Sequence, residues 1–187
     1  MKTIIWEVQY FSPPEVVHYC KKCSKKTTHI SSGLFRVNAQ AKQLDIWLVY
    51  RCTHCKSTWN LPVLSRVNTK HLSPKLLCKF MNNDANLAMQ YGMDIHLLKE
   101  YGAEAKTPIY EIVGDAISGT QPVKVKIVSP YNTNIRLTKM IREKLSLSHK
   151  EFDRQVLAGN IYLEHNVDIY KCRVQKETIV YIHLSCQ

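Results

Sequence analysis

Glycine is scarce in this chain, with six in 187 residues. Neither a G-x-G-x-x-G turn nor a G-x-x-x-x-G-K-[ST] loop is present, so neither dinucleotide binding nor a P-loop is expected. The G-x-S-x-G elbow of esterase-like hydrolases is missing too. Eight histidines are scattered without H-x-x-x-H spacing, and acidic pairs such as Glu151 and Asp153 lie among basic residues. No catalytic group stands out, and catalysis is not expected; "GDAISGT", residues 114–120, is the one loop where a site could hide. No apolar run approaches the roughly 20 residues a membrane helix needs. Glu7 interrupts "TIIWEVQYF" and no small-residue cleavage site follows, so a secretion signal is not expected there. The expected setting is the reducing cytoplasm, where disulfides do not persist. Repeats and low-complexity linkers are also missing.

Positive charge, by contrast, is plentiful. Lysine and arginine outnumber aspartate and glutamate 26 to 15, for a formal net charge of +11. The excess is uneven, at +8 over residues 1–72 and +3 over residues 73–187. An anionic partner such as nucleic acid fits that balance.

Seven cysteines are many for a reducing compartment, and an odd count does not close a disulfide framework. Four fall into two C-x-x-C pairs: Cys20 and Cys23 in "YCKKCSKK", Cys52 and Cys55 in "RCTHCKSTWN". Each pair supplies half of a tetrahedral thiolate site, and two pairs close it. A thioredoxin-type redox pair would open a helix. The residues after Cys55, "KSTWNLPVL", are β-branched and broken by Pro62, which argues against one. Strand, knuckle, strand resembles a zinc ribbon. Zinc as a structural staple is therefore expected, with iron as the open alternative. A ribbon often has glycine after the second cysteine of each knuckle, where Ser24 and Lys56 stand here. His29 and His54 lie close enough in sequence to be considered as substitute ligands. Cys78, Cys172 and Cys186 read as packed or incidental thiols, with Tyr170, Cys172 and Val174 on one strand face.

Periodicity supplies the rest. "TIIWEVQY" alternates like a strand, and "SPKLLCKFMNNDANLAMQYGMDIHLLKEYG" reads as two or three short helices recapped at Asp84 and Asp94. "TPIYEIVGDAISGTQPVKVKIVSP" reads as two strands, with Val123, Val125 and Ile127 facing one way. Trp6, Trp47 and Trp59 are assigned to the N-terminal sheet. From 135 to 165, Leu137, Met140, Ile141 and Leu145 mark one helix face. Ser148 and Glu151 form an S-x-x-E capping box, and Gly159 stops a second helix. Strands at "NIYLEH", "DIYKCRV" and "TIVYIHL" are expected to follow.

The stretch 136–165 resembles the alpha-L RNA-binding motif of the ribosomal-protein-S-four type. The correspondence runs through Arg136-Leu137-Thr138, Ser148-His149, Gly159, and Ile161 with Leu163. That resemblance implies RNA phosphates held by Arg136, Lys139, Lys150 and Arg154. Lys21, Lys22, Lys25 and Lys26 around the first knuckle would be a second contact. The whole chain also resembles a bacterial family of unknown function (domain of unknown function number ten-sixty-two), through "FRVNA" and "DIWLVYRC".

The expected fold is thus α+β. A zinc-ribbon β domain covers 1–72, a helical segment and β-hairpin cover 73–130, and an alpha-L-type helix-helix-β domain covers 131–187. The expected function is a small basic RNA-binding protein for ribosomal or other structured RNA. The alternative is a zinc-stapled protein-interaction module. Neither a membrane nor a small-molecule substrate is expected.

Overall fold

The computed structural model describes residues 1–117 and 121–183. Strand β1 (Lys2–Tyr10) is followed by β2 (Val16–Cys20), β3 (Lys25–Gln40), β4 (Gln43–Cys52) and β5 (Thr58–Asn68). Helices α1 (Pro74–Met81), α2 (Ala85–Gly92) and α3 (Ile95–Glu100) come next, then strands β6 (Glu104–Ala105), β7 (Tyr110–Val113) and β8 (Val123–Val128). Helices α4 (Leu137–Leu145) and α5 (His149–Leu157) lead to β9 (Ile161–Tyr162) and β10 (Glu177–Ile182). The fold is α+β. No helix among the described residues is long and apolar enough to cross a membrane.

Two compact units emerge. One is Phe11–Ile109; the other joins Met1–Tyr10 to Tyr110–Gln187. The contacts thus divide the chain differently from the expected 1–72, 73–130 and 131–187. The reason is β1, which pairs with β7 and β8 and belongs to the second unit.

In the unit Phe11–Ile109, an antiparallel sheet runs in the order β5-β4-β3-β2-β6. Strand β4 alternates cleanly, burying Leu44, Ile46, Leu48, Tyr50 and Cys52, as a two-residue period requires. The three helices cover the buried face. Ser73, Asp84 and Asp94 each accept an N–H at the start of their helix, and Pro74 sits in the first turn where its missing N–H costs nothing. Phe80, Leu87, Ala88 and Leu98 are the side chains these helices bury. A fully buried Phe80 stabilises by about 2–3 kcal/mol. Helix α2 ends on Gly92, where a Cβ would stand 2.7 Å from Pro13 Cβ, so only glycine fits without a shift.

The second unit has a mixed sheet in the order β7-β1-β8-β10-β9, with β1 parallel to β8 and every other pair antiparallel. Ile4, Trp6, Val8, Val125, Ile127 and Val180 supply its buried face. Leu137, Met140, Ile141 and Phe152 of α4 and α5 pack against it. Trp6 Nε1 donates to Asp115 O at 3.0 Å.

Three local expectations need correction. Strands β7 and β8 form no hairpin, because β1 lies between them and pairs with both. Trp6 therefore sits in a different sheet from Trp47 and Trp59. "DIYKCRV" forms a turn with one isolated bridge, Arg136 to Arg173, rather than a strand. Ile169 and Val174 are its buried residues, and Tyr170 is exposed. Cys186 and residues 118–120 of the "GDAISGT" loop lie outside the described residues.

Candidate metal centre

Strands β2 and β4 flank β3 and both run antiparallel to it, so their C-terminal ends point the same way. Each ends on a cysteine, Cys20 and Cys52, and each then turns through a C-x-x-C knuckle into the next strand. The sheet thereby delivers both knuckles to one end of its strands. The first turn closes with Cys20 opposite Lys25 and Ser24 at φ 53°. In the second, Cys52 N donates to Ser57 O, Lys56 N donates to Cys52 O at 3.0 Å, and Lys56 has φ 62°. Ser24 and Lys56 are the residues where a ribbon often has glycine, and both hold the left-handed conformation that glycine adopts most readily. Thr53 N donates to Thr28 O, tying the second knuckle to β3.

The four Sγ atoms all lie within 4.8 Å of one another. Cys20 Sγ is 3.5 Å from Cys55 Sγ, and Cys23 Sγ is 3.9 Å from Cys52 Sγ. A disulfide needs about 2.05 Å, and all four cysteines are free. A tetrahedral thiolate site with metal–sulfur bonds of about 2.3 Å has sulfur–sulfur edges of about 3.8 Å. The observed spacings bracket that value, and the donor set is four soft sulfurs, so these residues can hold a metal ion.

Electrostatics favours partial ionisation before any ion arrives. Ser57 Oγ stands 3.3 Å from Cys20 Sγ, and its hydrogen bond pulls that thiol down to about 6. The backbone N–H of Cys55, helped by the Thr27 hydroxyl, pulls Cys52 down to about 7. Burial, then the neighbouring thiols, push Cys23 up to about 12. Without a cation the cluster does not ionise fully, because each new thiolate faces the others at close range. A divalent ion removes that obstacle.

The histidines stay outside the cluster. His29 is buried, with Nδ1 3.1 Å from Thr27 O; a carbonyl only accepts, so Nδ1 donates. His54 is exposed in the turn. Reading the residue types alone passed over Ser57 and Thr27, whose hydroxyls reach Cys20, Cys52 and Cys55. The usable signal was a hydroxyl residue two positions beyond the last cysteine.

The basic residues singled out from sequence fall four to each unit. Lys21, Lys22, Lys25 and Lys26 surround the first knuckle and are exposed. Lys26 pairs with Glu104 at 2.7 Å. In the other unit Arg136, Lys150 and Arg154 are exposed and Lys139 is half-buried, 3.7 Å from Glu143. Among the described residues, Lys21, Lys22, Lys25 and Lys150 make no ion pair. Net charge divides as +8 for Phe11–Ile109 and +3 for the remainder.

Residues 37–167 match the family described as protein of unknown function (DUF1062), over more than half the chain. The chain belongs to this DUF1062 family. The matched stretch contains Cys52 and Cys55 together with α1 to α5, and begins after Cys20 and Cys23. No curated protein and no solved structure matches the chain.

Proposed function

We propose that this DUF1062 protein is a small basic RNA-binding protein of the reducing cytoplasm, stapled by a structural zinc ion. Cys20, Cys23, Cys52 and Cys55 would hold the zinc and complete its shell. Tetrahedral S4 donor sets suit zinc or iron–sulfur centres, and a closed four-cysteine shell is the mark of a structural site. The observation that carries the RNA reading is the cluster of unpaired, exposed lysines Lys21, Lys22 and Lys25 on the knuckle, in the unit with most of the charge. Cations held out on a rigid turn suit a phosphate backbone, because each neutralised phosphate releases counterions. The α4–α5 pair, with its Ser148 capping box, supports an alpha-L-like second contact through Arg136, Lys139, Lys150 and Arg154.

The test is binding to structured ribosomal and transfer RNA fragments at two salt concentrations. Wild type is compared with a Lys21→Glu/Lys22→Glu/Lys25→Glu variant and a Lys139→Glu/Lys150→Glu/Arg154→Glu variant. Tight binding that weakens with salt, and that either variant loses, is the expected result. Weak binding untouched by both sinks the reading.

One observation favours a second reading, a zinc-stapled protein-interaction module. The sheet of the Met1–Tyr10/Tyr110–Gln187 unit exposes Ile5, Val113 and Tyr162. In that case both variants would bind RNA weakly and alike.

A further inference from the structure

Beside the metal cluster lies a cavity of about 310 Å³ that shares Cys20 and Ser57 with it. Its volume is that of a small-ligand site. The walls are aromatic: the His18 ring stacks on Trp59 at 4.0 Å and 15°, and His29 stands edge-on to both at 5.7 and 6.2 Å. Asn60 adds an amide with two donors and an acceptor. Lys21 and Lys22 line the mouth and are exposed. None of the lining residues is acidic. A larger cavity of this unit differs, since Glu15 there pairs with Lys106.

Flat rings, one amide and two unneutralised ammonium groups are complementary to a planar heteroaromatic group with an anionic tail. We infer that this cavity is a nucleotide subsite, taking one unstacked base against His18 and Trp59 with its phosphate on Lys21 and Lys22. The inference deepens the RNA reading above and rests on it for its biological source. Base stacking on aromatic side chains and phosphate contact to lysine are the general means by which single-stranded nucleic acid is held. Because Cys20 ends the strand that carries His18, a metal held by the cluster would set the position of one wall.

The shared chemistry could come from an RNA nucleotide or a free one, and titration separates them. The zinc-loaded full-length protein is followed by its Trp59 indole N–H resonance, assigned by its absence from Trp59→Phe. The probes are the four ribonucleoside 5′-monophosphates, adenosine, ribose 5-phosphate and a single-stranded RNA octamer. The expected result is a saturable shift with at least one monophosphate and with the octamer, and none with ribose 5-phosphate. Lys21→Ala/Lys22→Ala, a surface change that leaves the cavity wall intact, weakens monophosphate binding about tenfold. A preference for the octamer over the monophosphate assigns the site to RNA; the reverse assigns it to a free nucleotide. No shift with any monophosphate, or an equal shift with ribose 5-phosphate, overturns the inference. If structured RNA still binds with steep salt dependence, the RNA reading survives that failure. If monophosphates bind and structured RNA does not, the subsite stands alone.

Discussion

At the scale of single residues, the knuckles carry an avoidable cost. Ser24 and Lys56 hold φ of 53° and 62°, and a left-handed L-residue costs roughly 1–2 kcal/mol. Glycine relieves this strain but adds freedom to the unfolded chain, which offsets part of the gain. Ser24→Gly is expected to raise the stability of the protein by up to about 1 kcal/mol, or about 2–4 °C in Tm. Lys56→Gly gains less, because Lys56 Nζ also donates to Thr53 O at 2.9 Å. Differential scanning calorimetry of both variants checks the order. Cys52→Ser acts in the opposite sense. It removes a fully buried thiol of the cluster, and, under the proposed zinc site, the metal content measured by atomic emission is expected to fall well below that of wild type. A zinc-loaded Cys52→Ser protein of unchanged stability would remove Cys52 from the ligand set.

Within elements, the capping box of α5 ties stability to pH. Hydrogen bonds from the Ser148 hydroxyl and then from its backbone N–H hold the Glu151 carboxyl below its usual value. A depressed folded-state value makes the contribution complete above the unfolded value, about 4.3, and lost as pH falls through the folded one. Glu151→Gln is therefore expected to lower the melting temperature at neutral pH, with the gap to wild type closing on acidification. A gap that stays constant with pH would show that the carboxylate does not act through its charge. Ser148→Ala, which removes the other half of the box, is expected to cost about 1 kcal/mol. This cap was legible from four letters of sequence, as were Asp84 and Asp94, because a cap is decided within one helical turn. The alternation of Leu44 to Cys52 was equally legible. Alternation fails as a guide where a strand's partner matters: a two-residue period says which face is buried and is silent about the neighbour. That is why β7 and β8 looked like a hairpin, and why the alternating "DIYKCRV" looked like a strand. The four thiols were legible by spacing. Their hydroxyl partner Thr27, and the ring cluster of His18, His29 and Trp59, depend on cross-strand register, which the letters do not carry.

Taken whole, one unit is inserted into the sequence of the other. Tyr10 and Tyr110 are register partners in β1 and β7, and everything between them forms the unit that carries the four-cysteine cluster. Each unit has its own buried core. Replacing Phe11–Ile109 with a two-residue Asn-Gly loop, suited to a tight hairpin, is expected to leave a remainder that unfolds cooperatively; a non-cooperative melt would refute this. If the four-cysteine cluster holds the zinc proposed for it, a chelator is expected to lower amide-exchange protection in Phe11–Ile109 far more than in β8 and β10. The same insertion has a consequence in time. A ribosome adds about 5–20 residues per second, so β1, with Ile4, Trp6 and Val8 on its apolar face, waits on the order of 5–20 s before β7 emerges to pair with it. The cysteine-bearing hairpins are complete well before that moment. Strand β1, made before the strands it pairs with, is among the last to find its sheet, and a nascent chain in this interval shows an unpaired apolar strand to its surroundings.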